Sequence, residues 1–542
     1  MPKFANNSKK IRSYIKMKKY ISYCLAAFLI SAVSCGKGGA GAKDDSVATA
    51  DSLKAAEEKE LMTELPDTAY ESVKLITATT RVIDTVTDPK INSFKDLYRD
   101  TPGVFAFRAN AYRDAEMGGR VKGTPSEIVV DWEFITAYDG RQTGSSQGWG
   151  GGSGWTGQPV YVEWPDSLIK KWQAKGTLSK DFSGKEIIVG SLSSNLYFID
   201  FATGQKSREP VYVKNPIKGS VMLDPTLNGN VYVGQGIPNE RPFGAIVVNL
   251  DEHAITDTHP EDPKAPRRWG AYDSSAIRMG QFLFRPGENG TIYKFFIEPG
   301  KQNLHSAMSY TVNGRPLGLE ASMSIYKNYG YTADNSGIIV CTNLNTMKPV
   351  WVFDIGDDTD STPVVAVEDG VPYIYTGCEI DKTKNDSRYV KLNALDGSVV
   401  WEKTVPGKRA DVGSKHFDGG FYASSLPGQG NSKDFIFVNV VENLSGQNGK
   451  FIAMNRKTGE TVYEIPLKRY AWSSPVGFLN EREEMFILTA DCSGNMYLID
   501  AKAGKLLHTL HVGNNFESSP VVSGNSAVVG SRGQSIYKVS IK

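Results

Sequence analysis

The stretch that decides the fold reads AWSSPVGFLN (Ala471–Asn480), MFILTADCSGNMYLIDAKAGKLLHTL (Met485–Leu510), FESSPVV (Phe516–Val522) and SAVVGSRGQSIYKVS (Ser526–Ser540). It says one thing twice. A strand of small residues carries Ser-Ser-Pro-Val, an apolar strand follows, then a Gly/Asn turn, another strand, and a turn such as Lys502-Ala503-Gly504. Short strands repeating with a period of about 40–50 residues are the mark of a β-propeller. Such a fold is a rigid disc, so function is sought in the loops of one face.

Working outward, paired apolar strands split by a turn recur eight times: Glu186–Asp200, Asn230–Asn249, Gln281–Phe296, Tyr329–Asn343, Pro372–Asn393, Phe435–Asn455, Met485–Asp500 and Ser526–Val539. Each follows a candidate inner strand: Thr156–Val162, Ser220–Thr226, Tyr272–Arg278, Glu320–Tyr326, Asp360–Ala366, Phe421–Pro427, Trp472–Phe478 and Glu517–Ser523. Small residues fit where strands converge on an axis, and proline is tolerated on an edge. The last unit lacks an outer strand, and Glu127–Thr136 alternates like a strand without a partner. The expectation is an all-β, eight-bladed propeller closed by this N-terminal strand, with seven blades as the alternative.

Composition agrees. The chain has 542 residues, 54 of them glycine, and 40% are hydrophobic. A net charge of +1 offers no field for nucleic acid. Residues 1–34 read as a signal peptide, with a basic region from Lys9 to Lys19 and an apolar stretch too short to span a membrane. The sequence Ala32-Val33-Ser34-Cys35 resembles the lipobox of bacterial lipoproteins, which implies lipidation at Cys35. Residues 35–68 then form a polar tether, 69–126 a lead-in with a short helix at Ser93–Tyr98, and 127–542 the propeller. Met17 is an alternative start. Cys341, Cys378 and Cys492 are an odd set that reads as free thiols.

The repeats YFIDFATGQ (Tyr197–Gln205), VKLNALDGSVVWEKTV (Val390–Val405), IAMNRKTGETVYEI (Ile452–Ile465) and YLIDAKAGKLLHTL (Tyr497–Leu510) resemble the PQQ-like (quinoprotein-type) propeller repeat. Trp351 and Trp401 match its outer-strand tryptophan, and Phe107-Arg108-Ala109-Asn110 resembles the Phe-Arg-Gly-Asn opening found before such propellers. The resemblance covers residues 105–542. It implies quinoprotein dehydrogenases holding PQQ and Ca2+, or lipoprotein scaffolds such as the propeller subunit of the outer-membrane β-barrel assembly machinery. Fold alone does not choose between them.

Catalytic patterns are absent from the sequence. The dehydrogenases' adjacent cysteine pair is missing, and no histidine pair has metal-ligand spacing. Asp357-Asp358-Thr359-Asp360 reads as a solvated loop or a calcium-holding cluster. No catalytic residue, metal site or cofactor is expected. Loops entering the inner strands should gather on one face, which collects Trp149, Trp155, Gln158, Arg268, Trp269, Tyr272, Asp360, His416, Asp418, Tyr422, Arg469, Trp472, Phe516 and Glu517. Such a mouth suits a ring-shaped ligand, a sugar or a peptide side chain; the alternative is simple packing of the channel.

The expected function is a non-catalytic binding or scaffold module. It is anchored by lipid in the cell envelope, with Gly36 favouring the outer membrane. Its partners are the membrane and envelope proteins, or a small molecule or glycan. The alternatives are a quinoprotein-type oxidoreductase and a ligand- or glycan-binding propeller using the axial mouth.

Overall fold

The Val-, Ile- and Tyr-rich runs pair antiparallel across Gly and Asn turns, as β-branched and aromatic residues favour. In the computed structural model they build eight sheets around one axis. The chain forms two compact units, residues 1–63 and 64–542. The structure describes residues 55, 59–117, 120–141, 150–383, 385–412, 415–443 and 448–542, with the side chains of 410–412, 415–417 and 443 outside that description. In the first unit, residues 59–62 are helical. The second is the propeller.

The inner strands of blades 1 to 8 lie at Val160–Glu163, Met222–Leu223, Ile277–Met279, Ser324–Tyr326, Val364–Glu368, Leu426–Pro427, Val476–Asn480 and Val521–Ser523. All eight predicted strand pairs hold the next two strands of their sheets. The predicted closure is present: Ile128–Ile135 pairs antiparallel with Ser535–Ile541 and completes blade 8. Blade 3 gains a fifth strand, Ile76–Val82, along Lys301–Val312.

Two features differ from the sequence reading. Ser93–Tyr98 is not a helix; one 3-10 turn spans Leu97–Arg99, and the Asp96 side chain accepts from the Tyr98 N–H, a local bond that competes with helix. An unforeseen α-helix, Asp166–Lys175, interrupts blade 1. Its fully buried Trp172 donates from Nε1 to Asp251 at 2.7 Å, which ties it to blade 2.

Neighbouring blades are locked by one recurring contact. An aromatic of an outer strand packs on the turn glycine of the next blade and donates to a carbonyl there. Trp132 bonds Phe201 O, Trp351 bonds Ala394 O, Trp401 bonds Arg456 O and Tyr463 bonds Ala501 O. The glycines beneath them, Gly204, Gly397, Gly459 and Gly504, have φ of 65–75°, and a Cβ on any of them would come within 2.7 Å of the ring. Only glycine meets both demands.

At the axis, inner strands expose backbone groups with no ladder partner, and burial requires that these be satisfied. The Ser-Ser-Pro repeat supplies part of the answer. Ser275 N–H donates to Ser322 Oγ, Ser322 to Thr362, Thr362 to Ser424, Ser424 to Ser474 and Ser474 to Ser519, at 2.8–3.2 Å, each hydroxyl belonging to the next blade. Gln158 N–H makes the same bond to Ser220.

Below this hydroxyl ring the lead-in residues 103–117 and 120–121 plug the axis and touch every blade. Gly103–Val104 pairs with Tyr161–Val162. The N–H groups of Leu223, Ile325 and Val365 donate to Phe105 O, Ala111 O and Tyr112 O. Arg113, fully buried, donates to the carbonyls of Met323, Ser275 and Ala276 and to Phe107 O. Arg108, equally buried, donates to Pro475 O, Ser425 O and Arg113 O. Met117 Sδ accepts from Val522 N–H, and Arg120–Val121 runs parallel to Leu479–Asn480. Burial pushes the two guanidinium groups down, to about 9 for Arg108 and about 10 for Arg113. The plug turns tightly, with Arg108, Ala109, Arg113 and Ala115 at φ of 54–71°.

Ala109 stands at φ 71° where the resembling motif has glycine. The left-handed conformation costs an L-residue about 1–2 kcal/mol, partly offset by the greater chain entropy glycine loses. Ala109→Gly is therefore expected to stabilise the propeller by about 0.5–1 kcal/mol in denaturant titration, whereas Ala109→Val should destabilise it.

Candidate functional site

Along each inner strand the chain passes first the open end of the axis, then the hydroxyl ring, then the plug. Side chains two residues apart share a face. The residues two before the ring position are Thr156, Lys218, Asp273, Glu320, Asp360, Tyr422, Trp472 and Glu517, one from each blade. They form the mouth. Lys218, Glu320, Asp360, Tyr422, Trp472 and Glu517 line a cavity of about 310 Å³, together with Gly154, Trp155, Leu192 and Arg532.

The lining is polarised around the circle. Blades 3 to 5 give an acidic arc. Asp273, Glu288 and Glu320 bring carboxylate oxygens within 4.8 Å of one another, and so do Asp358, Asp360 and Glu379. The first trio already holds a cation: Lys218 Nζ pairs with Asp273, and Trp269 Nε1 donates to Glu288 at 2.9 Å. Burial pulls Lys218 down, but Asp273, Glu288 and Glu320 outweigh it and hold the ammonium charged. In the second trio no Lys or Arg nitrogen lies within ion-pair distance among the described residues. Burial first, and the neighbouring carboxylates second, push Asp360 and Glu379 far above the usual range. Burial pushes Asp358 up to about 7.

Blades 6 and 7 give an aromatic arc, with Tyr422 and Trp472 stacked at 5.0 Å and Tyr470 beside them. Blade 8 closes the circle with Glu517, which accepts from Asn515 at 2.8 Å and pairs with Arg532 at 3.3 Å. Several buried polar atoms have no hydrogen-bond partner among the described residues: Trp155 Nε1, Trp472 Nε1, Asp358 Oδ1 and Glu379 Oε1. Buried groups of this kind are ordinarily satisfied, so these point toward something the mouth receives.

Of the residues expected at the mouth, Trp155, Asp360, Tyr422, Trp472 and Glu517 line the cavity. Trp269 and Asp418 stand behind it, bonded to Glu288 and paired with Arg409. Five do not belong to it. Tyr272 and Phe516 are fully buried core residues. Gln158 is buried on the plug side, its Oε1 accepting from Arg108 N–H. Arg268 is exposed to solvent. Arg469 is half-buried and outside the lining. Trp149 and the His416 side chain lie outside the described residues. Lys218, Asp273 and Glu320 were missed, although the two-residue offset from the ring serines marks all three.

The Asp357–Asp360 run divides its work. Asp357 is fully buried and accepts from the N–H groups of Asp358, Asp381, Lys382 and Thr383, so it anchors a loop. Asp358 and Asp360 instead join Glu379 to form the second acidic trio. The cysteines stand apart: Cys341 and Cys378 are buried free thiols within blades 4 and 5, and Cys492 is half-buried beside Tyr470. The cysteine-pair seat for PQQ that the resemblance implies is not built here, and Lys218 already fills one carboxylate trio.

The raised Asp358 makes stability depend on pH. Between about 4 and 7 the unfolded chain releases this proton while the folded chain keeps it, so the group's contribution falls as pH rises through that window. Asp358→Asn should raise the melting temperature by a few degrees at pH 8 and leave it nearly unchanged at pH 4. An equal effect at both would show that burial does not hold the carboxyl protonated.

No protein-family model matches the chain and no curated protein is similar to it at a significant level. Solved structures are similar. The quinohemoprotein alcohol dehydrogenase ADHIIG from Pseudomonas putida HK5 superposes with a TM-score of 0.57 and 10% identity, covering 82% of this chain and 81% of that one. A europium-containing methanol dehydrogenase gives 0.53 and 12%, covering 82% and 99%. BamB from Moraxella catarrhalis gives 0.45 and 14%, covering 66% and 94%. What this chain shares with the two dehydrogenases is the fold, a β-propeller.

Proposed function

We propose that this protein is a lipid-anchored envelope component whose propeller binds rather than catalyses, receiving a small polar ligand or a partner's side chain in its axial mouth. One observation carries the reading. The axis is sealed at one end by a plug and a hydroxyl ring that take up groups of the inner strands, while the other end opens onto buried polar atoms without hydrogen-bond partners among the described residues. The described lining gathers carboxyl groups, an ammonium and a stacked aromatic pair, a set suited to recognising a polar or charged group. The lipobox-like Ala32-Val33-Ser34-Cys35 supports anchoring at Cys35, with the polar tether giving the disc reach from the membrane.

The test uses the full-length chain in a Gram-negative host fed an alkyne fatty acid. Wild type should take the label and fractionate with membranes, and Cys35→Ser should do neither. Envelope crosslinking then compares wild type with Trp472→Ala. A ligand or partner recovered with wild type and lost in the variant supports binding at the mouth. Equal recovery would move binding to the rim or loops and contradict the proposal.

A further inference from the structure

Two three-carboxylate clusters share the mouth, and their difference identifies what is missing. In the first, the chain supplies its own occupant, the Lys218 ammonium, paired with Asp273 beside Glu288 and Glu320. In the second, Asp358, Asp360 and Glu379 have the same spacing and no ammonium or guanidinium within ion-pair distance among the described residues. Glu379 is only 4% exposed, and its Oε1 has no hydrogen-bond partner among the described residues. Asp358 Oδ1 is in the same state. With no cation beside them these crowded carboxyls keep protons, and Glu379 hydrogen-bonds with Asp360 and Tyr422; a seated cation would let the trio ionise and would pair the charge.

The neighbours of the second trio decide which kind of cation. Asp360 reaches the cavity wall next to Tyr422 and Trp472, the stacked aromatic pair of blades 6 and 7. Aromatic faces beside carboxylates suit an organic cation, whose alkyl chain lies on the rings while its charge meets the acids. A bare divalent ion prefers a cage of oxygens and gains little from indole. The cavity, at about 310 Å³, is also far larger than one ion needs.

Resting on the mouth-binding reading above, we propose that the Asp358–Asp360–Glu379 trio, flanked by Tyr422 and Trp472, is the seat for a primary alkylammonium group. The carrier is a free diamine or the lysine side chain of a partner peptide, which takes the place that Lys218 takes in the neighbouring trio.

Calorimetric titration of the full-length protein tests this with four probes: pentane-1,5-diamine, a short lysine-bearing peptide, hexane-1,6-diol as a neutral counterpart, and CaCl2. The diamine should bind saturably and the diol should not. Asp360→Asn and Glu379→Gln, both near-isosteric, should each weaken diamine binding at least tenfold, and Trp472→Leu severalfold. Asp131→Asn, on the exposed face of the closing strand Ile128–Ile135 and outside the cavity lining, should change it less than twofold. Circular dichroism melting confirms that each variant is folded. Preference for the peptide over the diamine assigns the source to a partner protein, and the reverse to a free amine.

Equal binding of diol and diamine, or diamine binding unaffected by Asp360→Asn and Glu379→Gln, would overturn the ammonium seat while leaving a binding mouth. Calcium binding without diamine binding would make the trio a metal site and overturn it likewise. If no probe binds and Trp472→Ala also leaves envelope crosslinking unchanged, the mouth reading itself falls.

Discussion

The constraint on which everything else depends is the unpaired inner edge of each blade. Eight strands converge with N–H and C=O groups facing a buried axis, where each unsatisfied group costs about 1–3 kcal/mol. The molecule meets this in layers. A ring of hydroxyls passes hydrogen bonds from blade to blade, and a plug cut from the lead-in segment takes up groups from every inner strand. Two buried arginines do most of that at the centre, because a planar guanidinium with five donors reaches carbonyls on several strands at once.

Sealing one end in this way makes the other end the place for recognition. The strand period of two carries each blade's mouth residue onto the axis at one level, so eight side chains face a single space. Their chemistry is unequal around the circle. A lysine and three acids occupy one arc, two stacked aromatics the next, and a glutamate–arginine pair closes it. A symmetrical scaffold thereby presents an asymmetrical site.

Much of this was legible in the chain. The eight strand pairs and the closing role of Glu127–Thr136 followed from alternation and from the missing last strand. The Asp/Asn-to-Gly turns were visible as well, although their purpose, seating the preceding blade's Trp132, Trp351, Trp401 or Tyr463, needed the contact between blades. The serines of the inner strands read as small residues for a crowded axis; their hydroxyls matter as acceptors, which only the neighbour's geometry reveals. The helix at Asp166–Lys175 carried its own signals, Pro165 before it and Gly176 after it, but the regular strand repeat masked them. Tyr272 and Phe516 went astray because a loop reading cannot say which side of a bend faces the axis. The convergence of Glu379 and Glu288 on the mouth from other strands joins residues that no local pattern links.

The most direct test of the sealed axis is hydrogen–deuterium exchange at the amides of Leu223, Ile325 and Val365, which donate to plug carbonyls on three different blades. If the plug is integral, these amides exchange only with global unfolding, as slowly as the central strands of the blades. Exchange at the rate of surface loops, with the blades still protected, would show a plug that opens independently and would contradict the account.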